Sequence, residues 1–301
     1  MCRLLGLTAG TEPVHATFWL LDAPDSLEVQ SRRNVDGSGI GFFGPTGAPV
    51  LDKQPEAAFR DEDFIREAKH AESAVFVAHV RWATAGGRTL QNTHPFTMQG
   101  RIMAHNGGFG GAERVEEQLG GYRELVLGDT DSERYFALIT QQIDAHGGDV
   151  GAGIAAAARW IGAHLPVSSL NTVVAAPGEL WALRSPGQHA LHIIERPAGM
   201  SAQAAPAARA ADGGAAATSA TSGSGLHVRS STSSVHAPGL QALPSVVIAS
   251  EELDGEHGWR MLTSGELVHV RPDLRVESAV VIPDPPAQLV PLPADNPNID
   301  T

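Results

Sequence analysis

Cys2 is the only cysteine in this chain of 301 residues, and it directly follows Met1. With a single cysteine no internal disulfide can form, so the fold must be stabilised by a buried apolar core. Hydrophobic residues make up 42% of the sequence and charged residues 18%, which is the balance of a globular protein. A lone cysteine is also typical of proteins from a reducing compartment, so we expect a cytoplasmic location.

The position of Cys2 also favours a chemical role. If Met1 is removed, Cys2 carries both a thiol and a free α-amine. An α-amine titrates near pH 7.7–8.0 and a thiol near 8.5, so a modest shift lets the amine accept the thiol's proton. The alternative is that Cys2 is an inert apolar residue at the start of a strand, as buried cysteines usually are. Its position alone favours this second interpretation.

The charge and hydropathy of the chain exclude several functions. The formal net charge of −13 argues against nucleic-acid binding, which needs a basic surface. The longest apolar stretch, 154–165, is too short to span a membrane and contains Arg159 and His164. No charged segment followed by an apolar one opens the chain, so we expect no signal peptide. The thirteen histidines are scattered without HExxH or cysteine partners, so we expect no metal site.

The apolar pattern predicts one domain that mixes strands and helices. Strands are predicted at 3–9, 39–43, 48–51, 74–82, 101–105, 172–176, 180–184, 190–195, 245–250 and 266–270. Helices are predicted at 13–21, 57–70, 131–146 and 150–164. The third helix opens with Thr130 and Glu133 in the spacing of a capping box.

Two parts of the chain differ in composition from this domain. Residues 197–240 are dominated by Ala, Ser, Gly and Thr and cannot bury enough apolar surface to offset their ordering entropy. We therefore predict a domain formed by residues 2–196 and 241–282, interrupted by a largely disordered insertion at 197–240. The proline-rich tail at 283–301 is predicted to be irregular.

Five short segments carry recognisable motifs. They are MCRLLG at 1–6, RNVDGSG at 33–39, HVRWAT at 79–84, HNG at 105–107 and TDSE at 130–133. In this order they resemble the class II glutamine amidotransferases, which are hydrolases with a catalytic cysteine at the mature N-terminus. The resemblance covers residues 2–185 and recurs weakly at 246–252. Asn34 replaces a usual glycine, and Ala85 stands where ammonia-channelling members commonly have histidine.

This resemblance implies an α+β fold, a four-layer αββα sandwich of the N-terminal-nucleophile type, and no cofactor. It also implies that Cys2 attacks a γ-glutamyl carbonyl and forms a thioester. Asn106 and Gly107 would then supply the oxyanion hole. Arg81 would bind the substrate's α-carboxylate and Asp131 its α-ammonium group.

The remaining candidates have weaker roles in this scheme. Trp82 and Thr84 are interpreted as walls of the substrate pocket. Arg33, Asp36 and His105 are interpreted as supporting residues. Structural alternatives stay open, because Asn-Gly pairs are common in turns and an aspartate in a first helical turn complements the helix dipole.

No synthetase, phosphoribosyltransferase or isomerase segment follows the motifs in this sequence. The chain therefore resembles the stand-alone members of the family, which include the γ-glutamyl amidase of ergothioneine biosynthesis. We expect an amidohydrolase that splits a γ-glutamylated small metabolite into glutamate and an amine. The alternatives are a glutaminase subunit that supplies ammonia to a separate synthetase, and a catalytically silent amino-acid-binding protein. Homo-oligomerisation stays open.

Overall fold

The computed structural model describes residues 2–83, 86–198, 227–230, 233–236 and 243–291. The strands are β1 (Arg3–Thr8), β2 (Ser38–Phe43), β3 (Pro49–Gln54), β4 (Val75–Val80), β5 (Phe96–Met98), β6 (Arg101–Phe109), β7 (Pro166–Ala176), β8 (Glu179–Leu183), β9 (His192–Arg196), β10 (His227–Ser230), β11 (Ser233–His236), β12 (Ser245–Ala249), β13 (Arg260–Met261), β14 (Glu266–Val270), β15 (Val276–Val280) and β16 (Gln288–Leu289). The helices are α1 (Leu27–Gln30), α2 (Glu62–His70), α3 (Ala112–Leu119), α4 (Asp131–Ala145) and α5 (Val150–His164), with a π-helical turn at Phe18–Asp22 and a 3-10 segment at Gly120–Leu125.

Two large sheets organise these elements. The first has the strand order β13-β9-β12-β1-β4-β2-β3, and the second has the order β15-β14-β8-β7-β6-β5. Neighbouring strands within both orders are antiparallel, while β16 adds to β7 in parallel. The α+β class is therefore confirmed.

Alternating side chains divide the interior into three apolar clusters. On β4, Phe76 and Ala78 belong to a cluster shared with α2 and the π-helical turn. Val75 and Val77 belong to a second cluster that joins residues of both sheets, including Ala104 of β6. A third cluster joins the second sheet to α3, α4 and α5. Successive residues of a strand point to opposite faces, so β4 packs against an apolar cluster on each face. Its sequence therefore does not alternate between apolar and polar residues.

Several predicted elements change when the chain folds. The helix predicted at 150–164 is confirmed at both ends, whereas the helix predicted at 57–70 begins only at Glu62, because Asp61 caps it. The helix predicted at 13–21 is wrong. Val14 instead forms a β-bridge with Ser73, and only the π-helical turn remains helical.

The insertion and the tail also carry some regular structure. Strands β10 and β11 pair with each other inside the predicted insertion, whose other residues lie largely outside the described part. In the tail, the prediction of an irregular segment is wrong for Gln288–Leu289, which pair with β7. The reason is that β8 pairs only with residues 172–176 of β7, which leaves backbone groups at its start for the tail to satisfy. Within the described ranges, no helix has the length and apolarity needed to cross a bilayer.

Candidate active site

The Cys2 thiol lies against the backbone that follows β4. Its Sγ atom is 3.3 Å from the backbone nitrogen of Trp82 and 3.4 Å from the carbonyl oxygen of the same residue. Burial raises the pKa of the Cys2 thiol, the Trp82 backbone and Arg81 lower it, and Asp131 raises it. The thiol is therefore protonated at neutral pH and needs a nearby base to react. Arg81 directly precedes Trp82, whose backbone contacts the thiol, and the Asp131 carboxylate accepts from the backbone of Phe109 at the end of β6.

The residues after Cys2 are held by the segment that follows β12. Arg3 donates to the Cys2 carbonyl at 3.4 Å and forms an ion pair with Glu251. The backbone N–H of Leu4 donates to Ser250 Oγ at 3.1 Å, and the Ser250 N–H donates to the Leu4 carbonyl at 3.1 Å. The strand that follows Cys2 is thus held in place by two consecutive residues, Ser250 and Glu251, from a distant part of the chain.

Asn106 and Gly107 lie inside β6 and pair with β7. The structural interpretation of this pair as a turn is therefore wrong. Asn106 Nδ2 donates to Ser250 Oγ at 3.4 Å, which connects the candidate oxyanion donor to the strand of Cys2. A side chain at position 107 would overlap the carbonyl oxygen of Ser169 on β7. Close approach of the two strands therefore requires glycine here.

Arg81 is buried, with 3% of its surface exposed. Its Nη1 donates to the Gly87 carbonyl at 3.1 Å and its Nη2 lies 3.5 Å from the Gly86 carbonyl. Its backbone pairs with Gly37 and Asp36 at 2.8 and 3.0 Å, which extends the sheet beyond β4. Burial lowers the pKa of Arg81, but a guanidinium keeps its charge in proteins.

Asp131 is the first residue of α4, and Thr130 caps this helix. The Thr130 hydroxyl accepts from the Glu133 N–H at 3.2 Å, which confirms the N-cap, whereas the Glu133 carboxylate accepts from the Gly128 N–H and not from that of Thr130 as in a capping box. The Asp131 carboxylate accepts from the backbone of Phe109 at 3.1 Å and from that of Ser132 at 2.8 Å. Because Phe109 ends β6, the carboxylate is attached to the strand that carries the HNG segment.

Asp36 supports the loop that leaves the site. One carboxylate oxygen accepts from the Ala83 N–H at 2.7 Å, and the other forms an ion pair with Arg88. Asp36 is buried and its backbone pairs with Arg81. It therefore fixes the backbone on both sides of Trp82, whose main-chain atoms contact the thiol.

His105 joins β6, β7 and α4 beneath the site. Its Nε2 lies 3.2 Å from the Ser169 carbonyl and its Nδ1 lies 2.9 Å from Ser132 Oγ. A carbonyl only accepts, so Nε2 carries the hydrogen and Nδ1 accepts from the serine hydroxyl. Burial lowers the pKa of His105. Its contacts are those of a neutral structural residue.

Two further buried histidines lie in the same region. The rings of His79 and His94 are 4.2 Å apart. Burial, together with the charge of Arg81, lowers the pKa of His79 to about 3, and burial also lowers that of His94. Both rings are therefore uncharged at neutral pH and place no added positive charge beside Arg81.

Two candidates are not brought into these contacts. The side chain of Arg33 is 51% exposed, and its Nη2 lies 3.7 Å from Asp25. Among the described contacts of Arg33, none reaches Cys2 or Arg81. Thr84 lies outside the described residues. Trp82 is present beside Cys2, but it is the backbone that binds the thiol, and its side chain is half-buried.

Sequence reasoning missed three residues that organise the site, which are Asn92, Ser250 and Glu251. The available signal was the SEE segment at 250–252, directly after a buried apolar strand. Asn92 gave no signal beyond its place next to the Thr93-His94 pair. All three act on residues far away in sequence or in another loop, so only the folded chain reveals them.

Comparisons with known proteins agree with this geometry. The family described as class-II glutamine amidotransferases matches residues 1–205. The chain is 29% identical over 170 residues to DUG3, a probable glutamine amidotransferase of Saccharomyces cerevisiae, covering 50% of this chain and 47% of that protein. It is 32% identical over 152 residues to YafJ, a putative glutamine amidotransferase of Escherichia coli, covering 48% and 55%. The chain thus spans about half the length of these curated relatives.

Solved structures extend the likeness to the fold. A glutamine aminotransferase class-II domain protein from Silicibacter pomeroyi superposes with a TM-score of 0.56 at 17% identity, covering 95% of this chain and 100% of that one. The glutamine phosphoribosylpyrophosphate amidotransferase of B. subtilis gives 0.58 at 15% identity, covering 94% and 50%. The family match covers most of the chain and includes Cys2, Arg81, Asn106 and Asp131. This protein therefore belongs to the class II glutamine amidotransferase family.

Proposed function

We propose that the protein is a cysteine amidohydrolase that cleaves the γ-glutamyl amide bond of a small metabolite and releases glutamate and an amine. The observation that carries this proposal is the combination of charges around one thiol. A buried guanidinium and a carboxylate both act on Cys2. The amide of Asn106 is linked through Ser250 to Leu4 of β1, the strand that follows Cys2. This set matches a substrate with a zwitterionic end and a carbonyl to be attacked.

The two charged residues account for recognition of the glutamyl group. The planar guanidinium of Arg81 suits the α-carboxylate, because it donates two parallel hydrogen bonds. Asp131, with two backbone donors already on its carboxylate, suits the α-ammonium group. A substrate lacking either charge would leave a charged group of the site without its partner, which is costly.

The reaction then follows from the groups at the other end of the pocket. The Cys2 α-amine, free after removal of Met1, accepts the thiol proton, and the thiolate adds to the γ-carbonyl. Asn106 Nδ2 and the Gly107 N–H donate to the resulting oxyanion. Collapse breaks the C–N bond, and the amine leaves with the proton returned by the ammonium group. Water then hydrolyses the γ-glutamyl thioester to glutamate and restores the thiol.

We also propose the four-layer αββα arrangement and a cytoplasmic location. The three apolar clusters support the layering, because one lies between the sheets and one lies between each sheet and its helices. The lone cysteine supports a reducing compartment.

A glutaminase that supplies ammonia to a separate synthetase is the second candidate. The family match favours it, and the aligned region of the glutamine–fructose-6-phosphate aminotransferase of Caulobacter vibrioides is 22% of that protein. In this case the γ-glutamyl amide would be glutamine itself. The partner would be an ATP-using synthetase.

The test is substrate profiling of the purified full chain. Glutamate and amine release would be measured for glutamine and for a panel of γ-glutamyl amides, with 6-diazo-5-oxonorleucine labelling followed by intact mass. We expect loss of Met1, one adduct on Cys2, and higher kcat/KM for a γ-glutamyl amide than for glutamine. Cys2→Ala should keep glutamate binding and lose turnover. Efficient glutamine hydrolysis without amine release from any γ-glutamyl amide would contradict the proposal and support the glutaminase.

A further inference from the structure

We propose that Asn92 is a positioning residue that fixes the separation between the Arg81 guanidinium and the Asp131 carboxylate. This inference rests on the proposed function, in which these two groups bind the two charges on the substrate's α-carbon. It assigns a role to a residue that contacts neither the thiol nor the oxyanion donors.

The first contact joins Asn92 to the loop of Arg81. The Gly87 carbonyl accepts two hydrogen bonds, one from Arg81 Nη1 at 3.1 Å and one from Asn92 Nδ2 at 3.2 Å. The side chain of Asn92 therefore holds the carbonyl that in turn orients the guanidinium. Asn92 is fully buried, so water does not replace this donor.

The second contact joins Asn92 to the loop of Asp131. Asn92 Oδ1 accepts from the Asp129 N–H at 2.8 Å. Asp129 directly precedes Thr130, the cap of α4, and Asp131 follows it. A side chain at position 128 would overlap Asn92 Oδ1, so Gly128 is what allows this loop to approach.

The asparagine amide satisfies both contacts at once, whereas an aspartate does not. The amide offers a donor and an acceptor on one carbon, whereas an aspartate has two acceptors. Gly86 completes the junction, because a Cβ there would lie 3.0 Å from Asn92 Nδ2 and 3.4 Å from Thr130 Cγ2. The two loops that carry the substrate-binding charges therefore meet on one buried amide.

Binding of a ligand with both α-carbon charges depends on the separation between the Arg81 guanidinium and the Asp131 carboxylate. Binding of a ligand with only one of these two charges does not. The test is calorimetric binding of L-glutamate, glutarate and 4-aminobutyrate to the purified full chain. Glutarate lacks the ammonium group and 4-aminobutyrate lacks the α-carboxylate. We expect Asn92→Asp to weaken glutamate binding about tenfold, since small displacements in a pocket are costly, and to weaken the other two by less than about twofold.

A second variant guards against simple loss of folding. Gly128→Ala places a methyl group against Asn92 Oδ1 and so disturbs its contact with the Asp129 N–H without replacing Asn92. It should therefore reproduce the selective loss of glutamate affinity. The matched control is Asn171→Asp. Asn171 is equally buried, donates to the carbonyls of His189 and Ala190 and accepts from Ser185, away from both loops. It should leave the ratio of the three affinities unchanged.

The outcomes separate this inference from the proposed function. An equal loss of affinity for all three ligands, or unchanged glutamate binding in both variants, would overturn the role of Asn92 alone. A wild-type chain that neither binds glutamate nor hydrolyses any γ-glutamyl amide would overturn both. A selective loss for glutamate in an enzyme that hydrolyses γ-glutamyl amides would establish Asn92 as the residue that couples the two charges.

Discussion

The two ends of β12 differ in what they connect. At its start, Ser245 pairs with Arg196 of β9, and the insertion runs between these neighbouring strands. Beyond its end, Ser250 and Glu251 contact Leu4 and Arg3 of β1, the strand that follows Cys2. A strand of five residues, about 17 Å long, thus separates a low-complexity connection from the residues that support the candidate site. We infer that substitutions are tolerated better at the start of β12, beside the insertion, than beyond its end, beside the candidate site.

The largest effect is expected for Asn106 at the site end. Asn106→Ala removes the side-chain donor to the oxyanion and should lower kcat about 100- to 1000-fold. KM for a γ-glutamyl amide should change little, because this bond is made chiefly in the transition state. Steady-state kinetics measure both values, and thermal unfolding checks that the fold is kept. A variant with unchanged kcat would remove Asn106 from the oxyanion hole.

Ser250 should give an intermediate effect at the same end. Ser250→Ala leaves the Leu4 N–H without its side-chain acceptor, which should cost about 1–3 kcal/mol of stability. It also frees the Asn106 amide to rotate, so kcat should fall about tenfold, less than when the donor itself is lost. Chemical denaturation and kinetics measure the two effects.

The control for Ser250 lies at the other end of the same strand. Ser245 is also a buried serine, and its hydroxyl has no hydrogen-bond partner among the described residues. Ser245→Ala should leave kcat within about twofold of the wild type, because no contact to the site is lost. Equal losses of kcat in both variants would contradict the difference between the two ends.

The buried histidines beside the site should make the fold sensitive to acid. The pKa of His79 is about 3 in the folded protein because burial disfavours its charged form, and it is 6.5 when exposed. Above pH 6.5 His79 is neutral in both states and leaves the stability unchanged. Between pH 6.5 and about 3 only the unfolded state binds the proton, so the free energy of unfolding falls by about 1.4 kcal/mol per pH unit. His79→Gln should flatten this part of the stability curve, measured by urea unfolding at several pH values. The exposed His70→Gln is the control, and an equal change there would contradict the assignment.

The smallest effect is expected at the insertion end. Deleting 199–242 joins Ala198 to Leu243 and leaves a four-residue connection between Arg196 and Ser245, which are register partners. Such a loop is a normal length for a hairpin, so kcat/KM should stay within about twofold. A loss above about tenfold would mean that the insertion reaches the site, and the comparison of the two ends would fail.

Much of this fold could be predicted from local patterns. Helix α5 and strand β14 begin and end where the apolar periodicity predicts, because caps and turns mark their ends. Strand β15 is largely exposed and β5 has only three residues, so neither produces a pattern. The π-helical turn at Phe18–Asp22 formed where a regular helix was predicted, because pairing of Val14 with Ser73 outweighed local propensity.

The candidate site divides in the same way. The resemblance of five short segments to the class II glutamine amidotransferases singled out Cys2, Arg81, Asn106 and Asp131, although each residue taken alone also had a structural interpretation. The resemblance also singled out Arg33, whose exposed side chain makes no contact with these residues in the described structure. A motif identifies residue types but carries no information on side-chain direction.

The sequence by itself determined the family of this protein and the kinds of reactive and charged groups in its candidate site, since both are carried by short local segments. Tertiary structure alone decided how those groups are held. Ser250 reaches Asn106 across 144 positions, and Asn92 joins two loops through one amide. These contacts depend on strand order and loop approach, which arise from packing of the whole chain. Burial then sets the protonation of Cys2 and His79, because desolvation exists only in the folded state.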